Sequence, residues 1–476
     1  MVPTIVYLEK KPFVLRMKKR RNSSVCTRLV LAGVANTVVG VTLAMAQVCP
    51  ATPVRSVAGA ATPKDVCIPA GFTGLTIDYF DDYSWKAFIA MIWPSVYGGR
   101  GVADAERTHT GSGPRVFETF KPLWEIFHRD GSPPTSSDYR EYEAPLQNAC
   151  QARAGFGDMV LGSDAGFHDI GQSGDGGLLG PLVAQNGTYV RYLTSYNEIA
   201  FRHIESNRWY LRKALPVVPV PRPLTPLVQF PDGSIVVKSA WMETEGLTEA
   251  QRKRIYVRMA TVKDVGTGKC KKVAVGLIGI HIVQKTPSRP QWIWSSFEQV
   301  DLVPPAEPDG PGKYLLNDGS GAPMPRANPR ALIPLAKTPA EPFNVERSAN
   351  APIHPQTVET NAKYRKLVAG SVWQNYQLVV TQWPLAPGDQ SIPVKANQAG
   401  DIFQTFPGEG ATSAYSNLTL ETFHQARPAQ GCMNCHNRAR LGADFLWSVL
   451  MHAYPEQVGL PPAAVPGEAQ SPSKKK

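Results

Sequence analysis

Cys432, Cys435 and His436 stand in the order Cys-x-x-Cys-His, and no other group in the chain has residue types and spacing that fix a chemistry so closely. Residues three and four apart share one face of a helical turn. Two thiols so placed can reach the two vinyl groups along one porphyrin edge. The imidazole that follows then projects beneath the same macrocycle. This is the c-type haem attachment pattern. Cys432 and Cys435 are the expected thioether anchors and His436 the expected proximal iron ligand, giving one covalent haem c. A Cys432–Cys435 redox disulfide and a zinc knuckle are the rival readings of the same residues. Zinc would call for a second close pair of Cys or His. Only His424 and His452 lie nearby, and the remaining cysteines are more than 160 residues away.

The sixth position on the iron decides what such a haem does. Methionine raises the potential, a second histidine lowers it, and an open position admits ligand chemistry. Downstream the chain offers only Met451 and His452, on opposite edges of an apolar stripe, so both cannot face the iron. His281 sits inside a strongly apolar stretch, Gly279-Ile280-His281-Ile282. A histidine there is ordinarily a hydrogen-bonded core residue, yet it is the leading distal candidate, ahead of Met451, His452 and His424. Lys285 and Arg289 could hold haem propionates, against the plainer reading of solvated surface residues. Trp85, Trp93, Trp292, Trp294, Trp373 and Trp383 read as core or as the haem wall.

These residues need elements to position them. Apolar spacing predicts a short helix from Ser84 to Trp93, ended by Pro94, and another from Val116 to Arg129. Strand patterns fall at Tyr189–Leu193, Ser234–Trp241, Lys272–Val283, Gln291–Val300 and Trp373–Trp383. Gly171 to Gly180 reads as a loop and Pro216 to Pro226 as a surface strap. Residues 303–360 are rich in Pro, Asn and Ala and show little period. A last helix is expected over Leu441–Tyr454, with Leu441, Phe445, Val449 and Ala453 on one stripe.

The first 46 residues read as an export signal. A basic stretch from Arg16 to Arg21 precedes an apolar run from Val25 to Ala44, and Ala44-Met45-Ala46 supplies the small residues of a cleavage site. Arg28 within that run argues against a membrane anchor. Residues 1–46 hold eight Lys or Arg and one acid, so +7 of the formal net charge of +11 belongs to them and +4 to the rest. The basic whole-chain balance therefore gives no support to nucleic-acid binding. Of the seven cysteines, Cys26 lies in the signal and Cys432 and Cys435 in the haem motif. The other four suit two disulfides in an exported protein. Cys49–Cys67 with Cys150–Cys270 is the expected pairing, one of three open to them.

Asn417-Leu418-Thr419-Leu420-Glu421-Thr422, followed by the Cys-x-x-Cys-His group, resembles an exported bacterial cytochrome c family protein group. The likeness continues through Gly279-Ile280-His281-Ile282-Val283 and Gln291-Trp292-Ile293-Trp294-Ser295-Ser296-Phe297-Glu298. It covers the chain from Ser84 to Tyr454. The resemblance implies haem binding and electron transfer and nothing sharper. In that group a histidine can follow the Phe-Glu pair; Gln299 stands there in this chain, which removes one ligand and leaves His281 more prominent.

The expected fold class is α+β. A β-rich domain over 47–400 packs against a small helical haem segment over 410–460, after the signal peptide (1–46) and before a disordered tail (461–476). The expected function is that of a periplasmic or otherwise extracytoplasmic monohaem cytochrome carrying one electron. Its partner would be a redox protein or a small-molecule donor or acceptor, with no nucleic acid and no membrane span after cleavage. The rivals are a haem enzyme with an open distal site, acting on peroxide or a small oxidant, and a haem-containing ligand-binding or sensor protein.

Overall fold

The computed structural model describes residues 49–455 except 58, 60, 73–75, 135–137, 143–156, 162–170, 174–180, 220–226, 265–268, 306–312, 322–341, 343, 350–351, 384–416, 426–435 and 437–438. The expected signal and tail, Cys150, Cys432 and Cys435 all lie outside the described residues.

The centre of the fold is β6, Cys270–Thr286. Its β-branched, nearly unbroken apolar run belongs to a strand covered on both faces. One edge pairs antiparallel with β4, Ile235–Glu243. The other edge is shared. Its early half pairs with β5, Val257–Lys263, and its later half with β7, Arg289–Gln299. β3 (Arg191–Tyr196) and β1 (Lys121–Pro122) extend the sheet beyond β4, β8 (Tyr376–Gln382) follows β7, and β2 (Met159–Leu161) adds a parallel pair to β5. The eight described strands curl into a half-barrel, so the fold is mixed α/β. No helix among the described residues is long and apolar enough to cross a membrane.

A bulge in β6 determines which side chains face which layer. Ala240 pairs with Gly279 but Trp241 pairs with Leu277, leaving Ile278 as the extra residue. Val275 and Leu277 before it, and Ile280 and Ile282 after it, all join one apolar layer. Ile278 turns to the opposite layer. Alternation alone would have put residue 281 beside Leu277; the added residue reverses the phase and sends His281 to the other face.

The first face is covered by α1, Ile77–Met91, and α4, Pro355–Leu367; α2 (Glu198–Ser206) and α3 (Glu249–Lys253) fall between them in the chain. Trp85, Phe88 and Ile92 recur at helical spacing against Phe297, Tyr364 and Leu378, and Pro94 stops α1. α1 begins seven residues before the expected Ser84, because its first turns bury polar groups. Asp81 takes hydrogen bonds from the Thr357 and Thr381 hydroxyls at 2.6 and 2.8 Å. Tyr364 reaches Asp82 at 2.7 Å, and Ser84 lies 2.7 Å from Ser295. α4 was not expected at all. Its buried face is Thr357, Thr360, Asn361 and Tyr364, so hydrophobic period has little to register there. Pro355 at its first turn and the His354 ring accepting from Gln356 N–H begin it.

Two helical expectations fail. Val116–Arg129 is two 3₁₀ turns, Val116–Thr119 and Leu123–Glu125, separated by β1. Pro122 has no N–H to donate and holds the preceding backbone extended. Leu441–Tyr454 is also broken, into Arg440–Ala443 and Trp447–His452. Asp444 and Phe445 interrupt it with φ of 47° and 72°.

Cys49 and Cys67 form a disulfide, as expected. Cys270 is disulfide-bonded too, to a partner outside the described residues.

Candidate haem site

His436 is helical and half-buried, and its ring is held on two sides. Nδ1 lies 2.7 Å from the Phe445 carbonyl oxygen. A carbonyl can only accept, so Nδ1 carries the proton and Nε2 keeps its lone pair. The Trp294 ring packs against the imidazole with centroids 4.4 Å apart. Burial pushes the His436 pKa down to about 3, Lys238 and His281 press it further down, and the Phe445 bond and Glu421 oppose. Burial therefore favours the neutral imidazole. A neutral histidine with Nδ1–H on a backbone carbonyl and Nε2 available is the donor state an iron ligand requires. The donor chemistry at His436 thus fits a haem. Cys432 and Cys435 would supply its anchors.

Trp294 belongs to a layer formed where the second sheet face meets the C-terminal segment. Val236, Val283, Trp292 and Trp294 pack there with Ala443, Phe445, Leu446 and Val449. Next to this apolar layer a polar row crosses four strands. Register places Thr194, Lys238, His281 and Ser296 side by side on β3, β4, β6 and β7. His281 Nε2 lies 2.8 Å from Glu421 Oε1, with both side chains largely covered. Burial pushes the Glu421 carboxyl up, but His281 and Lys238 more than offset this, and its pKa is lowered.

Glu421 is delivered by the stretch Asn417–Thr422, which is threaded tightly onto the sheet. Asn417 donates to the Phe297 carbonyl at 2.8 Å and to Ser296 Oγ at 3.2 Å. Tyr192 donates to the Thr419 carbonyl at 2.8 Å. Gly279 is what admits this thread, since a Cβ there would stand 2.0 Å from Thr419 Oγ1. Three of the stretches that carry the sequence resemblance, at 279–283, 291–298 and 417–422, therefore meet in one place.

The expected distal residues fare unequally. His281 stands in the polar row beside the layer that holds Trp294, and its Nε2 is engaged by Glu421. Met451 is buried in the helix Trp447–His452. His452 lies with its ring 6.2 Å from Phe127, and His424 is buried at the end of the turn Thr422–His424. Gln299 is buried and donates to Asp301 at 2.8 Å.

The surface reading of Lys285 is wrong. Lys285 is 3% exposed and pairs at 2.5 Å with Asp444, which is fully buried. Its residue type suggested solvent because lysine is rarely buried unless paired, and the partner lies 159 positions away. Arg289 is partly buried, over the Phe80 ring and bonded to the Ser288 carbonyl. The six tryptophans are all buried.

Sequence reasoning passed over Lys238, Glu421 and the Asp444 corner. A lysine alone in the strand Ile235–Glu243, between Val237 and Ser239, was the one signal available. No protein-family model, curated protein or solved structure matches the chain.

Proposed function

We propose that the chain is an exported monohaem c-type cytochrome whose work is one-electron transfer to or from a redox protein or a small molecule. Cys432 and Cys435 would hold the haem by thioethers, and His436 Nε2 would ligate the iron. Once bound, the group supplies reversible one-electron chemistry at its iron. The observation that carries this reading is the bond from His436 Nδ1 to the Phe445 carbonyl. It fixes the tautomer a proximal ligand needs, on the histidine that the Cys-x-x-Cys-His pattern designates.

The chain's own residues then have definable parts. Phe445 keeps the proton on Nδ1. Trp294 walls the imidazole and excludes water from that side. Lys238 places a cation in the same neighbourhood, suited to the negative charge of propionates. The Cys49–Cys67 disulfide agrees with an oxidising compartment outside the cytoplasm.

The deciding experiment is expression in a host that assembles c-type cytochromes, followed by denaturing electrophoresis with peroxidase staining and a pyridine haemochrome spectrum. A stained band with a haem c spectrum is expected, lost in Cys432→Ala/Cys435→Ala. A colourless mature protein sinks the reading.

One observation favours a second function, a haem enzyme acting on peroxide or a small oxidant. His281 Nε2 lies 2.8 Å from Glu421 Oε1, a histidine–carboxylate contact in the polar row beside the His436 layer. Such a pair could pass protons to a bound oxidant. A low-spin ferric spectrum supports the electron carrier, and a high-spin one supports the enzyme.

A further inference from the structure

Three of the four non-glycine residues with positive φ among the described residues gather at the corner whose Phe445 carbonyl meets His436. They are Trp292 at 70°, Asp444 at 47° and Phe445 at 72°. A tryptophan and a phenylalanine do not adopt this backbone without compensation. Trp292 lies where β7 departs from its register with β6, between Gln284 and Thr286.

The corner changes what the Phe445 carbonyl can do. In one continuous helix that oxygen would accept from the N–H of Val449. Here Val449 N–H donates to Leu446 instead, at 3.1 Å. The break leaves the Phe445 oxygen for His436 Nδ1.

Asp444 is what the corner hangs on. Its Oδ2 accepts from Lys285 Nζ at 2.5 Å and from Phe230 N–H at 2.7 Å, while its own N–H reaches the Arg440 carbonyl at 3.2 Å. Lys285 in turn lies 5.8 Å over the Trp292 ring. One carboxylate thus ties β6, the segment before β4 and the broken helix together, with neither charge in contact with water.

We propose that Asp444, gripped by Lys285, is a positioning residue that fixes the left-handed corner and so aims the Phe445 carbonyl at His436, setting the donor strength of that imidazole and the reduction potential of the iron it would bind. The proposal rests on the haem reading above. An acceptor on Nδ1 makes the imidazole a stronger donor and stabilises the ferric state. Removing the grip raises the potential.

The test measures two things in the full chain. In haem-loaded protein, Asp444→Ala is expected to raise the midpoint potential by about tenfold in the oxidised-to-reduced ratio, ~59 mV for one electron. Asp444→Asn, which tolerates the same backbone and still accepts from Phe230, falls between it and the parent. In Cys432→Ala/Cys435→Ala protein, which carries no thioether, ¹⁵N-histidine NMR is expected to show a slowly exchanging Nδ1–H on His436 that Asp444→Ala abolishes. The second readout needs no haem, so a colourless parent sinks the haem reading and leaves the corner measurable. An unchanged Nδ1–H signal in folded Asp444→Ala overturns the positioning role. A lost signal with unchanged potential overturns the tuning. Where Asp444→Ala does not fold, Asp444→Asn decides by the same readouts, in the same direction.

Discussion

At the scale of single residues, the site is governed by what each imidazole's nitrogens already touch. His436 gives Nδ1 to a carbonyl and keeps Nε2. His281 gives Nε2 to Glu421, so its better ligating nitrogen is occupied. His281→Gln is therefore expected to leave the iron's spin state unchanged in loaded protein, as read from the ferric absorption spectrum. A low-spin to high-spin change on that substitution would make His281 the sixth ligand after all. The same variant disturbs the hydrogen bond made to the covered Glu421 carboxylate, at an expected cost of ~1–3 kcal/mol in urea unfolding. His436→Ala is expected to keep thioether-bound haem, visible by staining, while shifting its absorption through loss of the proximal nitrogen.

Among the elements, close threading matters more than helix propensity. The 417–422 thread lies against β6 because Gly279 has no side chain. Gly279→Ala is expected to cost ~1–3 kcal/mol by overpacking. Because it displaces the thread, it should also expose that segment to protease before global unfolding. Limited proteolysis with mass mapping checks this. Unaltered cleavage at unaltered stability would mean that the thread yields without cost. The broken C-terminal helix makes a related point. The residues of its apolar stripe, Leu441, Phe445, Val449 and Ala453, are all buried. Its break was not foreseen, because the Lys285–Asp444 pair that breaks it joins residues far apart in the chain.

For the whole molecule, the layer between α1, α4 and β8 holds a group that makes stability depend on pH. Burial pushes the Asp81 carboxyl up to about 7, opposed by the Thr357 and Thr381 hydroxyls and by Arg55 and assisted by Asp78. The unfolded chain loses this proton near pH 4, whereas the folded one keeps it to about 7. The folded state thus binds more protons across that window, and stability falls as pH rises through it. The loss is on the order of 4 kcal/mol at most, at ~1.4 kcal/mol per pH unit. Asp81→Asn is expected to flatten this slope between about pH 4 and 7 in urea unfolding. An unchanged slope would mean that Asp81 ionises within the fold. The Cys49–Cys67 disulfide closes a loop with a sequence separation of 18. Its removal by Cys49→Ala/Cys67→Ala is expected to cost ~3 kcal/mol, measured as a fall in denaturation midpoint.

The sequence by itself supplied the Cys-x-x-Cys-His spacing, strands placed at 272–283, 291–300 and 373–383 that overlap β6, β7 and β8, and the later part of α1. Each is written in residues adjacent along the chain, as fixed spacing, β-branched runs or helical period. Only the tertiary structure decided which face His281 looks from, since one extra residue at Ile278 reverses the alternation. Only it revealed α4, whose buried face is polar, and the pairing of Lys285 with Asp444. Those features depend on register, on hydrogen bonds and on charges meeting across 159 positions, and no local pattern encodes them.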